Sequence, residues 1–102
     1  MTYKKEFPMK THWPRPAELI VLKALGFEDV SWHNDSCPSW QFGPVTLYIA
    51  PIDPKHREQD EETRRFATKY DDGTFNGRWA SHDDFVTAVA LILAHSDRSL
   101  VR

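Results

Sequence analysis

The sequence has 102 residues, enough for one domain with a single modest core. Apolar residues make up 40% and charged residues 27% of the chain, which is typical of a folded globular domain and excludes a disordered one. The formal net charge of −2 argues against a general nucleic-acid binder, because such proteins carry a positive excess that displaces counterions from phosphates.

A single cysteine, Cys37, allows neither an internal disulfide nor a cysteine-based zinc cluster, which is typical of a reducing compartment. Residues 1–13 contain lysines but lack the apolar stretch that follows them in a secretory signal. The longest apolar run, at residues 85–94, is too short to span a bilayer. We therefore expect a cytoplasmic protein with no membrane segment.

The N-terminal part of the chain is predicted to contain an extended arm and one short helix. Prolines at positions 8, 14 and 16 favour an extended arm over residues 1–14, anchored to the domain by Trp13. A helix is predicted over residues 16–25, with a proline in its first turn and Gly26 as a left-handed C-cap. Because only two of its residues are charged, we expect a sheet to cover most of this helix.

From Phe27 onward the apolar residues recur with a period of two, which predicts five β-strands. Val30 and Trp32 are expected to face inward from the first strand, and residues 34–39 to form a loop. Alternation resumes on both sides of a Gly-Pro turn at residues 43–44, which predicts a hairpin. Its inward side chains are predicted to be Trp40, Phe42, Val45, Leu47 and Ile49.

The second half of the sheet is predicted to follow a dense run of charges. Residues 55–62 carry both signs without apolar periodicity, which indicates a surface loop or a single helical turn. Alternating segments then flank an Asp-Asp-Gly turn at residues 71–73 and predict a second hairpin. The side chains expected to face inward from it are Phe66, Phe75 and Trp79.

The chain is predicted to close with a helix over residues 85–95, capped by the acidic segment 81–84 and followed by a polar tail at residues 96–102. We therefore predict one α+β domain over residues 1–102, with the element order α-β-β-β-β-β-α. An antiparallel sheet with two helices packed on one face is the arrangement that buries both apolar helices. The side chains expected beneath them are Trp32, Phe42, Leu47, Phe66 and Trp79.

The loop around the single cysteine contains the residues of a candidate active site. Cys37, His33 and Asp35 would suit a Cys-His pair oriented by a carboxylate, the arrangement that activates a thiolate. No glycine-rich oxyanion element lies nearby, and the same residues fit a structural turn with a buried cysteine, or a contact with a partner. We therefore predict no catalytic site and keep a small Cys/His-dependent enzyme as the alternative. The five scattered histidines show no metal-ligand spacing, so no metal and no cofactor are predicted.

The outer face of the sheet is the predicted partner-binding surface. Alternation turns the cations of the second hairpin outward, near an aromatic and a histidine side chain from the first half of the sheet. Such a cluster suits an anionic partner surface. We expect an acidic protein in preference to a nucleic acid, because the chain is acidic overall. A solvated antiparallel face would show the same pattern. The residues of this predicted surface are Arg65, Lys69, Arg78, Tyr48 and His33.

The closing helix keeps an apolar stripe that contains Ala88 and Leu91 after two other stripes have been assigned to the core. Surplus apolar surface on a small domain often mediates self-association, which predicts a homodimer through this helix. Burial beneath the first helix would account for the same stripe.

Three segments of the chain resemble small proteins encoded by phages and prophages of proteobacteria. They are a Val-Ser-Trp-His-Asn-Asp-x-x-Pro-Ser run at residues 30–39, an Asp-Pro stretch at 53–58, and a Ser-x-Asp-Asp-aromatic helix start at 81–85. The resemblance implies a small accessory protein of the bacterial host cytoplasm, of the kind that binds and inhibits host machinery such as a defence system. The expected function is therefore that of a non-catalytic binding protein with a macromolecular protein partner. A small Cys/His-dependent enzyme and a nucleic-acid-binding accessory protein are the alternatives.

Overall fold

The computed structural model describes residues 2–57, 64–70 and 78–100, and of residues 78 and 96–100 it describes the backbone only. It confirms the α+β class, with one five-stranded antiparallel sheet and a closing C-terminal helix. Short 3₁₀ turns occur at Lys10–His12 and Pro54–His56. The helices are α1 (Tyr3–Glu6), α2 (Pro16–Leu25) and α3 (Phe85–Leu100), and the strands are β1 (Glu28–Asp29), β2 (Ser39–Phe42), β3 (Val45–Ile49), β4 (Phe66–Tyr70) and β5 (Arg78–His82).

The sheet is a meander in which each strand pairs with the strand that precedes it, in the order β1-β2-β3-β4-β5. The central strand β3 shows the predicted alternation, since Val45, Leu47 and Ile49 are buried whereas Thr46 and Tyr48 are half-buried on the other face. The prediction for β3 is therefore confirmed. The sheet has one face that belongs to the core and one face that is open to solvent.

The apolar face of the sheet is covered by α2 and α3. Helix α2 contributes Leu22, and α3 contributes Ala88, Val89 and Ile92 at positions that share one side of a helix. Ala88 is completely buried, whereas Leu91, the other residue of the predicted dimer stripe, is 52% exposed. The core cluster consists of Leu22, Phe27, Trp40, Val45, Leu47, Ile49, Phe66, Ala88, Val89 and Ile92.

Helix α2 begins and ends as its sequence predicts. Gly26 adopts a φ of 90°, a left-handed conformation that is costly for a residue with a Cβ, and its N–H donates to two carbonyls of the last turn. The expectation that a sheet covers most of this helix is wrong, since Ile20 is 69% exposed and Val21 is 38% exposed. The core receives only the stripe that contains Leu22.

The N-terminal segment is folded, which corrects the predicted extended arm. Its prolines follow α1 and the first 3₁₀ turn, so they end these helical elements instead of preventing them. Trp13 holds the segment in place by donating from its Nε1 to the carbonyl of Phe7 at 2.7 Å. Its ring meets Tyr3 edge-on at 5.5 Å, and Tyr3 in turn lies 5.8 Å from the core residue Trp40.

Two tryptophans that were predicted to lie beneath the helices are exposed instead. Strand β1 contains only two residues, so Trp32 lies beyond it in the following loop and is 42% exposed. On β5, Trp79 is 57% exposed because the register places it on the outer face. His82 of β5 pairs with the buried Phe66 of β4, so these two residues share one face of the sheet. Trp79 lies three positions before His82 on β5 and therefore faces the opposite side. Phe75, which supported the predicted inward phase, lies outside the described residues.

Helix α3 begins as predicted but ends later. The carboxylate of Asp84 caps it by accepting from the N–H of Thr87 at 2.9 Å and from its hydroxyl at 3.0 Å. The backbone of residues 96–100 continues the helix, which corrects the predicted polar tail at these positions; residues 101–102 lie outside the described chain. The charged segment 55–62 begins in the 3₁₀ turn Pro54–His56, and residues 58–63 are not among those described.

A buried ion pair connects α2 to the sheet. The two carboxylate oxygens of Glu18 accept hydrogen bonds from the two terminal nitrogens of Arg65, at 2.5 and 2.8 Å. The Nε of Arg65 also donates to the carbonyl of Ala50 at 3.2 Å, and the N–H of Ala50 donates to the carbonyl of Arg65 at 2.8 Å. The side chains of Arg65 and Glu18 are only 11% and 8% exposed. One arginine therefore links the helix layer to the ends of β3 and β4.

We expect Glu18→Gln to lower the free energy of unfolding by about 3 kcal/mol, because it leaves the guanidinium of Arg65 buried without a counter-charge. Urea denaturation followed by tryptophan fluorescence would measure the change. Glu28→Gln is the matched control, since Glu28 is exposed on the edge strand β1, and it should change stability by less than about 0.5 kcal/mol. Equal stability of the two variants would contradict a structural role for the ion pair.

Candidate functional site

A cleft of about 470 Å³ lies on the outer face of the sheet, on the side opposite to the helices. Its volume is within the range of small-ligand and peptide side-chain pockets, which is about 300–1,000 Å³. One wall is the loop at residues 34–37, the floor is formed by β3, β4 and β5, and the other wall carries arginines. The lining residues are Asn34, Asp35, Ser36, Cys37, Tyr48, Ala50, Pro51, Arg57, Arg64, Arg65, Ala67, Lys69 and Trp79.

The loop that forms the first wall is fixed at its base by hydrogen bonds. The hydroxyl of the fully buried Ser31 donates to the carbonyl of Ser39 at 3.3 Å and accepts from the N–H of Ser39 at 3.1 Å. The carboxylate of Asp29 accepts the N–H of Ser31 at 3.0 Å, and the N–H of Asp35 donates to the carbonyl of Trp32 at 3.0 Å. The segment 31–39 thus folds as a structured turn, which places Asp35 and Cys37 at the cleft.

The floor of the cleft contains two aromatic rings with a lysine above one of them. The rings of Tyr48 and Trp79 lie 5.4 Å apart at an interplanar angle of 33°, and the Nζ of Lys69 lies 5.5 Å from the centre of the Trp79 ring. The register explains this arrangement, since Tyr48 pairs with Ala67 and Lys69 pairs with Trp79. Ala67 lies on β4 between the two strands that carry the rings, and its small side chain allows the rings to approach each other. The result is an exposed aromatic floor with a cation above it.

The arginines of the second wall are held by backbone carbonyls. The Nε of Arg57 donates to the carbonyl of Pro51 at 2.9 Å, and the Nη1 of Arg64 donates to the carbonyl of Ser81 at 3.2 Å. Arg64 keeps half of its side chain exposed and lies 3.9 Å from Asp83 at the mouth of the cleft. Backbone carbonyls hold both guanidinium groups in position, and the cations of this wall are Arg57 and Arg64, of which Arg64 also lies beside Asp83.

Among the described residues that line the cleft, Asp35 is the one acidic side chain, and its ionised form is destabilised by burial. Burial raises the pKa of Asp35, and the positive charge of Lys69 offsets only part of this effect. Burial also raises the pKa of Tyr48, and the nearby charges of Asp35 and Cys37 raise it further. An incompletely compensated carboxylate beside cations is a common feature of binding sites.

The structure brings together three of the five residues that were predicted to form the partner-binding surface. Tyr48, Lys69 and Arg65 line the cleft, although Arg65 is turned toward Glu18 and is mostly buried. Arg78 pairs through its backbone with Tyr70 on β4, and its side chain lies outside the described part of the chain. His33 does not line the cleft.

Sequence reasoning missed Arg57, Arg64 and Trp79 as members of the site. Trp79 was given the wrong face of its strand, because its outward position depends on the pairing of His82 with the buried Phe66 of β4. Arg57 lies within the charged segment 55–62 and Arg64 just after it, and this part of the chain has no apolar periodicity that would indicate where their side chains point. Long-range folding alone brings them to the cleft.

His33 is turned away from the cleft and toward the N-terminal helix. Its Nδ1 lies 2.9 Å from a carboxylate oxygen of Glu6, and its backbone N–H donates to the same oxygen at 3.2 Å. These hydrogen bonds to His33 lower the pKa of Glu6, against a smaller opposing effect of burial. Cys37 is buried and lines the cleft with Asp35. The side chain of His33 is thus directed at Glu6, whereas Cys37 and Asp35 lie at the cleft.

Comparison of the chain with protein-family models, with curated proteins and with solved structures finds no match. Among the described residues, no group of three or more histidine, cysteine, aspartate or glutamate side chains is arranged to hold a metal ion. Within the same residues, no helix is long and apolar enough to cross a bilayer. The geometry of the cleft is therefore the basis for assigning a function.

We expect Asp35→Asn to raise the thermal stability of the protein near pH 7. The pKa of Asp35 is raised above its ordinary value of 3.8 in the folded state, so ionisation of this group destabilises the fold as the pH rises. The gain in melting temperature should therefore disappear as the pH falls below about 4. Thermal melts of both proteins between pH 3 and about pH 7 would measure this trend, with Asp53→Asn as an exposed control. A gain that does not depend on pH would exclude ionisation of Asp35 as its cause.

Cys37 is only 6% exposed, so we expect it to react slowly with iodoacetamide in the native protein and at the rate of a free cysteine after unfolding in urea. Mass spectrometry of alkylated samples over time would give both rates. An activated thiolate would instead react rapidly in the native protein at neutral pH. Rapid native alkylation would support the enzyme alternative.

Proposed function

We propose that this chain is a non-catalytic binding protein that recognises an acidic, aromatic-containing segment of a protein partner in the cleft. The observation that carries the proposal is the exposed Tyr48–Trp79 floor beneath Lys69, next to the cationic wall of Arg57 and Arg64. Tryptophan, tyrosine and arginine are the side chains that most often dominate the energy of protein interfaces. The cleft combines all three.

The charges of the cleft favour an acidic partner. The described residues that line the cleft include the cations Arg57, Arg64 and Lys69, and Asp35 is the one acidic side chain among them. Partner carboxylates can therefore approach the second wall and Lys69 with favourable electrostatics. A planar or apolar partner side chain can cover the exposed ring of Trp79, which is 57% exposed.

The same charges disfavour a nucleic acid as the partner. The carboxylate of Asp35 lies within the cleft, and the exposed Asp83 lies beside Arg64 at its mouth. A continuous phosphate backbone would meet both groups, whereas a short acidic peptide can avoid them. The net charge of −2 adds a weak long-range repulsion.

By occupying an acidic segment of its partner, the protein would block that segment, which is the mode of action that the resemblance to phage and prophage proteins implies. The bacterial host cytoplasm is the compartment proposed for it, and the single cysteine of the sequence fits a reducing environment.

We expect Lys69→Glu to weaken binding to an acidic peptide at least about tenfold, because it reverses the charge above the aromatic floor. The probes are a peptide of aspartate, glutamate and one phenylalanine, and its amide counterpart with asparagine and glutamine. Tryptophan fluorescence and calorimetry would measure the affinities of wild type, Lys69→Glu and Trp79→Ala. Lys23→Glu is the matched charge reversal, since Lys23 is exposed on α2, away from the cleft, and it should bind like wild type.

Three results would contradict the proposal. They are equal affinities for the acidic and amide peptides, unchanged binding by Lys69→Glu, and tighter binding to a single-stranded oligonucleotide than to the acidic peptide. The last result would instead favour the nucleic-acid alternative, and its affinity should then fall steeply with salt.

A further inference from the structure

The carboxylate of Asp35 lies at the cleft with little to compensate its charge. The backbone N–H of Asp35 donates to the carbonyl of Trp32, which fixes the residue in the turn of the first wall. Its side chain is half-buried and lines the cleft. Among the described residues, none donates a hydrogen bond to this carboxylate, and Lys69 is the one whose charge favours its ionised form. A half-buried acceptor of this kind is costly until a donor reaches it.

Lys69 cannot compensate Asp35 and an acidic partner at the same time. Its Nζ lies 5.5 Å from the centre of the Trp79 ring, above the aromatic floor. A partner carboxylate that binds there shares the single positive charge of Lys69 and also adds a negative charge near Asp35. A partner without a positive group of its own would therefore leave Asp35 less well compensated than it is in the free protein.

We propose that the segment bound in the cleft also carries an ammonium group, which forms a charge-assisted hydrogen bond with Asp35. This inference rests on the proposed function and adds a second chemical requirement to the acidic partner. The ammonium group belongs to a free N-terminus or to a lysine side chain, since both offer the same donors. Its charge replaces the compensation that Asp35 loses when Lys69 binds a partner carboxylate.

The side chains around Asp35 suit an ammonium group. Burial raises the pKa of the Tyr48 phenol and the neighbouring charge of Asp35 raises it further, so the neutral ring of Tyr48 lies near the carboxylate. Aromatic faces attract cations. Asn34 and Ser36, on either side of Asp35, also line the cleft and have side-chain oxygens that accept hydrogen bonds. An ammonium group has three donors, which match a carboxylate with two neutral acceptors beside it.

The positions of the charges fix the direction in which such a segment binds. Asp35 belongs to the first wall, and Arg57 and Arg64 belong to the second. A matching segment places its ammonium group at the first wall, its carboxylates toward the second, and its aromatic side chain over the floor. The reversed segment would place a carboxylate beside Asp35 and the ammonium group beside the arginines, so it is disfavoured.

Three peptides with amidated C-termini test the ammonium group. The first has a free amine on an N-terminal phenylalanine that is followed by aspartates and glutamates, the second is its acetylated form, and the third is acetylated with one added lysine. Calorimetry near neutral pH should show that wild type binds at least one of the two ammonium-bearing peptides at least about tenfold more tightly than the second peptide. The tighter of the two identifies the source of the ammonium group.

Asp35→Asn separates this contact from general charge effects. It removes the charge and keeps the size of the side chain, so the variant should bind the three peptides with similar affinities. Glu28→Gln is the matched control, since Glu28 is an exposed acid on β1 that does not line the cleft, and it should keep the wild-type preference. Circular dichroism would verify that both variants are folded.

Two results would overturn the inference. One is a wild type that binds the second peptide as tightly as the other two, and the other is a preference for ammonium that Asp35→Asn retains. Neither result bears on the proposed function, which is tested by the separate comparison of the acidic peptide with its asparagine and glutamine counterpart.

Discussion

The ion pair between Glu18 and Arg65 is the contact on which the arrangement of the two layers depends. Glu18 is in the first turn of α2, and Arg65 directly precedes β4 and also bonds to Ala50 after β3. A buried pair of this kind adds little net stability over an apolar substitute, but each charge is costly without the other. It therefore selects one position of α2 on the sheet. The cleft depends on it as well, because it fixes the wall that Arg65 shares with its neighbours.

The strand alternation divides the sheet into two faces with different roles. On β3, the residues that alternate with the core positions include Tyr48, and on β5 the outward residue Trp79 completes the aromatic floor. The inner face is covered by α2 and α3, which leave their own outer surface apolar. The domain thus has a charged, aromatic site on one side and helices with exposed apolar residues on the other, with the core between them.

The parts of the fold that follow from local signals could be predicted from the sequence. Pro16 and Gly26 set the ends of α2, and alternation identified β3 with its buried side. The errors concern features that depend on distant partners. The outward phase of Trp79 depends on its register with β4, and the burial of Arg65 depends on a glutamate that precedes it by 47 residues. Likewise, His33 is held by Glu6, which is 27 residues away, and this contact removed it from the predicted surface.

Strand order in the sheet is identical to strand order in the chain, and this bears on how the domain folds. Each new strand can add to the edge left by the previous one, so every strand pairing in the sheet joins strands that are neighbours in the chain, and the entropic cost of loop closure stays moderate. Helix α2 is the exception, because the contact that secures it joins residues 47 positions apart. A chain growing from its N-terminus would thus complete α2 early but could not secure it until β3 was in place and Arg65 had emerged. The second helix of the chain would therefore form well before it reaches its final position on the sheet.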